Sequence, residues 1–190
     1  MKIKYSDIAL FGLLIYLCGF YTGNKGEIIC FFIFLICSLP SLSITKGNKY
    51  AKWQFFFLIY LCISYIWTHK YLLNKTIAKI EIITPIMMLY CVVFLMGFIK
   101  KQDDINKIIN IFLASLGFLV LYLLVVTPVS VWGTMYLGQD IGLDKNTIGI
   151  NLAWGSLFCF FYLKTKQGNT KVYILLFLAF SIICMISGSR

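Results

Sequence analysis

Residues 108–126 read IINIFLASLGFLVLYLLVV. No charge interrupts this run, and every strongly polar position but Asn110 and Ser115 is absent from it. As a helix rising about 1.5 Å per residue, it matches the ~30 Å hydrocarbon core of a bilayer. The apolar residues are continuous rather than alternating, which points to a helix and not to a barrel strand. Pro128 follows two residues on, with Gly133 and Gly138 beyond, so the helix is expected to end near Val126.

The same pattern recurs on both sides. Apolar runs over 8–24, 28–45, 53–68, 82–99, 146–163 and 172–189 bring the expected count to about seven transmembrane helices. The expected fold is therefore an all-α integral membrane protein, a single polytopic domain over residues 1–190 with one longer connection at 127–145. Pro40 and Pro85 fall inside runs and are expected to kink them. Trp53 and Trp67 bracket the third run as interfacial aromatics do. Gly19 and Gly23 have GxxxG spacing but lie at a run's end, where they read as a loop signal rather than a packing face.

Composition excludes the other classes. Hydrophobic residues make up 61% and charged residues 13% of the 190, against roughly 45–50% and 25% in soluble domains. Too little polar surface exists to cover a soluble globule, and disordered chains are poor in apolar residues. The formal charge of +10 then reads as a topology signal, and no nucleic-acid partner is expected. Eleven of the 17 Lys and Arg fall at the amino terminus and in the second, fourth and sixth connections, and six on the opposite set. This bias predicts an amino terminus inside and a carboxyl terminus outside. Met1–Gly23 has a basic start and an apolar stretch, but no small-residue cleavage site follows, so it is read as a retained first span.

Few residues offer chemistry. The seven cysteines all lie in apolar runs without a CxxC pair, and His69 is the single histidine, so no metal is expected. The cysteines read as small apolar side chains. No P-loop, GxGxxG, HExxH or paired-aspartate motif occurs, and no nucleotide or other cofactor is expected. His69 and Glu81 have no spacing that makes an acid–base pair. Asn74-Lys75-Thr76 has the form of a glycosylation sequon and nothing more. The connection 127–145 carries Trp132, Tyr136, Asp140 and Asp144 among glycines, a set that suits sugar stacking and equally an ordinary interfacial loop. The chain's last residues, Ser187-Gly188-Ser189-Arg190, place an arginine at the outer end of a span. It reads either as a snorkelling anchor or as an anion site for phosphate or pyrophosphate, which guanidinium binds bidentately with hydroxyl support.

The order of these segments carries a resemblance. WQFFFLIYLCISYIW (53–67) is followed by a basic loop and two spans. GLDKNTIGINLAW (142–154), a lysine-rich turn and LLFLAFSIICMISGSR (175–190) then close the chain. This resembles the front part of the O-antigen ligase and repeat-unit polymerase family (Wzy-type), most specifically over 142–190. The resemblance implies a GT-C-like, metal-independent glycosyltransferase of the bacterial cytoplasmic membrane. It would polymerise or ligate undecaprenyl-pyrophosphate-linked glycans into O-antigen or capsule at the outer face. Arg190 is implied to face the pyrophosphate as the catalytic charge. Ser187 and Ser189 are implied as supporting hydroxyls, and Asn146 as a structural or sugar-contacting amide. The lipid-linked oligosaccharide and other polysaccharide-assembly proteins are the implied partners. The family continues past this arginine with more spans and a large external loop, so the chain is expected to be an amino-terminal part, inactive alone. Two alternatives remain: a non-catalytic membrane subunit, and a transporter or flippase fragment of the same pathway. The latter would need ionisable residues inside spans, which these runs do not offer.

Overall fold

In the computed structural model the described residues are 4–22, 24–40, 84–132, 134, 143, 145–165 and 168–187, with positions 53, 56, 57, 59, 60, 63 and 64. Among them the secondary structure is helical, with no strand. The helices are α1 (Tyr5–Phe20), α2 (Asn24–Ser38), α3 (Thr84–Phe98), α4 (Gln102–Val126), α5 (Lys145–Thr165) and α6 (Thr170–Ile186), with a short 3-10 turn at Val129–Val131. Of the run 53–68 only isolated positions are described, so the extent of the expected third span lies outside the described residues.

Two helices, α4 with 25 residues and α5 with 21, are long and apolar enough to cross a membrane. The other four are apolar but shorter. Only a third of the most apolar stretch of α4 and of α5 is buried. Val125 of α4 is 84% exposed, Leu121 64% and Met185 of α6 74%. A core helix of a soluble protein would cover such residues, because contiguous exposed apolar surface is costly in water.

Pro85 is the second described residue of α3, and the residues before Thr84 lie outside the described ones, as does the kink expected there. α2 ends at Ser38, and residues 39–40 form a tighter turn that takes Pro40 out of the helix. The first turn of α4 is capped from within: the backbone N–H groups of Lys100 and Lys101 both donate to Asp104 Oδ2, at 3.1 Å each. Asp103 and Asp104 also set negative charge at the positive end of the helix dipole.

The chain divides into two compact units, Met1–Ala9 with Ile36–Ile105, and Leu10–Leu35 with Asn106–Arg190. In the first, Met87, Tyr90, Val93 and Phe94 form the buried side of α3. Ser38, at the end of α2, and Tyr90 share a buried hydroxyl–hydroxyl bond of 2.6 Å.

In the second unit, α1 and α2 form a hairpin around Tyr16, whose ring meets Phe31 edge-on at 5.5 Å and stacks on Phe34 at 5.8 Å. Gly19 is a packing residue here, not the loop signal its position suggested. A Cβ on it would collide with Cys30 Cβ, so its bareness is what lets α1 approach α2. Its would-be partner Gly23 lies outside the described residues.

The core of this unit gathers Leu116, Leu119 and Leu123 of α4, Ile148, Leu152 and Cys159 of α5, and Phe180 and Ile183 of α6. Cys159 is fully buried among them as a small apolar side chain. Gly155 lies where the three helices meet. α5 and α6 run antiparallel, joined by a tight turn at Gly168, whose φ of +73° favours glycine. Asn169 caps α6, its side chain accepting from Lys171 N at 3.1 Å.

Candidate functional site

The antiparallel register of α5 and α6 is fixed by three side-chain contacts. The Tyr162 and Tyr173 rings lie 5.0 Å apart beside the turn. The Ser181 hydroxyl donates to that of Ser156 at 3.2 Å. The Cys184 thiol donates to the Gly149 carbonyl at 3.4 Å. Carried one turn further, this register brings the start of α5 to the level of the end of α6. Asn146 and Ser187 therefore stand at the same end of this unit, although 41 residues separate them in the chain.

Asn146 is exposed in the first turn of α5. Ser187 is buried at the carboxyl cap of α6, with its hydroxyl donating to the Cys184 carbonyl at 2.7 Å and its N–H to Ile183 O at 2.8 Å. That hydroxyl is spent on terminating its own helix. Ser189 and Arg190 lie outside the described residues.

Beside this end, a groove of about 410 Å³ opens between α4 and α6. Val120 and Leu124 form one wall, Ala179, Ile182 and Ile186 the other, and Thr127 with Trp132 closes its end. The Trp132 indole N–H donates to the Thr127 carbonyl at 3.2 Å, and its ring packs against the core. In the connection 127–145, Trp132 is thus turned to the protein, as an ordinary interfacial loop would have it. Tyr136, Asp140 and Asp144 lie outside the described residues. Thr127 is 4% exposed, and its Oγ1 has no hydrogen-bond partner among the described residues. A groove with apolar walls and one buried hydroxyl suits a hydrocarbon chain better than a sugar.

No family model, curated protein or solved structure matches this chain. Its site must therefore be read from its own residues.

Sequence reasoning missed three features. The groove needs α4 and α6 side by side, and the only hint of it was Thr127-Pro128 closing an apolar run. Tyr21, 2% exposed after the end of α1, belongs to the core of α4 and α5 and faces the Ser115 hydroxyl. At the opposite end of α5 and α6, Tyr162 donates to Asn106 O and Oδ1 at 3.3 Å, and Tyr173 donates to Asn110 Oδ1 at 2.9 Å. The four-residue spacing of Asn106 and Asn110, one helical face, was the available signal.

Among the described residues no group of three His, Cys, Asp or Glu gathers to hold a metal ion. The six cysteines among the described residues are free thiols, and Cys62 lies outside them. His69 and Glu81 lie outside the described residues.

Proposed function

We propose that this chain is part of a membrane glycosyltransferase acting on undecaprenyl-pyrophosphate-linked glycans in O-antigen or capsule assembly. In this reading it is a GT-C-like bundle of about seven spans in the bacterial cytoplasmic membrane, with its amino terminus inside and its carboxyl terminus outside. Exposed apolar side chains on α4 and α6 support the membrane setting.

The observation that carries the proposal is the placement of Asn146 and Ser187 at the same end of the unit, beside the apolar groove. Asn146 and the segment Ser187-Gly188-Ser189-Arg190 are the positions on which the family resemblance rests. In the proposed mechanism an acceptor hydroxyl attacks the anomeric carbon of the donor sugar. The bond from that carbon to the pyrophosphate oxygen breaks, the lipid pyrophosphate leaves with the electron pair, and the acceptor's proton passes to solvent or to the departing pyrophosphate, with no residue of this chain assigned as the base. Arg190 offsets the charge developing on that leaving group, with Ser189 as hydroxyl support, while Ser187, whose hydroxyl donates to the Cys184 carbonyl, closes the helix that leads to them. The groove fits the isoprenoid chain, and Asn146 orients a sugar. Nucleotide and metal have no part in these steps.

The test is transfer of lipid-linked repeat units in cells that depend on this gene, with wild type and Arg190→Lys compared. Lysine keeps the charge and loses the two-pronged geometry. Loss of one well-placed donor to a developing anion reduces turnover about a hundredfold or more. Polymer or ligated product should fall accordingly while lipid-linked units accumulate. Full product from the variant would remove Arg190 from the mechanism.

A further inference from the structure

The end of the second unit opposite Asn146 and Ser187 is built differently. Lys107 of α4, Lys164 of α5 and Lys171 of α6 are all exposed there. Their helix ends are tied at fixed positions by the Tyr162–Asn106 and Tyr173–Asn110 hydrogen bonds. Lys107 stands between the two asparagines on α4. Lys164 follows Tyr162 by two residues, and Lys171 precedes Tyr173 by two. Neither α5 nor α6 contains an acidic residue. The acids nearest to Lys107 in sequence are on the first turn of α4. Asp104 accepts two backbone N–H groups there, and Asp103 stands four residues before Lys107.

We infer that this rim is a binding surface for the head groups of anionic phospholipids. Three lysines on long aliphatic stems, at the ends of helices whose sides are apolar, can lay their stems along the acyl region and place their ammonium groups at the phosphate level. Each basic residue near an anionic bilayer surface contributes about 1 kcal/mol, so three raise local association roughly a hundredfold. A lipid fits better than a free anion because Leu175 and Leu178, exposed on α6, continue below the rim as apolar surface for its chains. The inference needs the chain to lie in a membrane and is independent of any transferase activity.

The experiment uses the purified full chain in mixed micelles, with native mass spectrometry reading the lipid retained. Phosphatidylglycerol should be retained over phosphatidylcholine, and less so as salt rises. Changing Lys107, Lys164 and Lys171 together to Gln should lower that preference by about a hundredfold. Changing the same three to Arg should preserve it. Asp103→Asn, which leaves the lysines intact, should strengthen it severalfold and supplies the answer if the triple Gln variant does not fold. Wild-type preference in a folded Gln variant would overturn the proposal, as would no change in Asp103→Asn. Displacement of the lipid by inorganic phosphate would replace the lipid surface with a small-anion site.

Discussion

Tyr173 and Asn110 lie 63 residues apart in the chain, yet the phenol donates to the carboxamide oxygen at 2.9 Å. With the Tyr162–Asn106 contact it ties α6, α4 and α5 at one level. Tyr173→Phe keeps the ring packed at a tilt beside Tyr162 and removes only this bond. The bond is exposed, so stability should fall by about 0.5–1 kcal/mol. Tyr173→Ala also loses the ring pair, worth about 0.5–1.5 kcal/mol more. Denaturant titration in micelles would rank the two, and equal losses would mean that the ring contributes nothing.

Gly155 is a site of close approach. A Cβ there would lie 2.5 Å from Leu116 Cδ1 and 2.8 Å from Phe180 Cδ2. The obstructing atoms are side-chain ends, so alanine is accommodated with strain and leucine is not. Gly155→Ala should cost about 1–3 kcal/mol and Gly155→Leu clearly more. Thermal unfolding of both variants checks the order. An alanine variant as stable as wild type would show that the three helices do not meet closely at this point.

Gly168 combines two constraints. Its φ is +73°, and a Cβ would lie 2.8 Å from the Tyr173 ring. Gly168→Ala should therefore destabilise the α5–α6 turn by about 1–3 kcal/mol. Gly117 offers a contrast, since a Cβ on it meets nothing within 4 Å. Gly117→Ala, mid-helix in α4, should stabilise by up to about 1 kcal/mol. Opposite signs in melting temperature would confirm the pair, and a stabilised Gly168→Ala would refute the turn geometry.

Thr127 has a buried hydroxyl without a partner among the described residues. A buried unpaired hydroxyl costs about 1–3 kcal/mol, so Thr127→Val should raise the stability of the unliganded protein by about 1 kcal/mol. If a ligand in the groove uses that hydroxyl, the variant should also lose the stabilisation that this ligand brings. Melting with and without added polyprenyl phosphate separates the two effects. A destabilised valine variant in ligand-free micelles would mean that Thr127 has a partner after all.

The apolar runs made the helical class legible, and Pro128 marked where α4 stops. Pro40 was visible too, but whether it kinks a helix or bounds one depends on a residue or two of register. Of the site, Asn146 and Ser187 were legible as residues, but not as residues at one end of the unit. That shared level follows from the antiparallel pairing of α5 with α6, made by contacts such as Cys184 with Gly149. Gly19 was misread for the same reason. Its role depends on Cys30, which reaches it only once α2 folds back.

The sequence alone thus determined that this chain makes strongly apolar helices, and where charge and proline interrupt them. These are local properties, set by each residue's own chemistry and its near neighbours. It could not determine which face of each helix turns inward. Leu119 and Leu123 are fully buried while Leu121 and Leu124 on the same helix are exposed, and all four are the same residue. A helix apolar on every side carries no stripe from which to read its partner. The tertiary structure made that choice through the bare backbone at Gly155 and Gly19 and through the Tyr–Asn ties. Close packing and interhelical hydrogen bonds distinguish helix faces that hydrophobicity leaves equivalent.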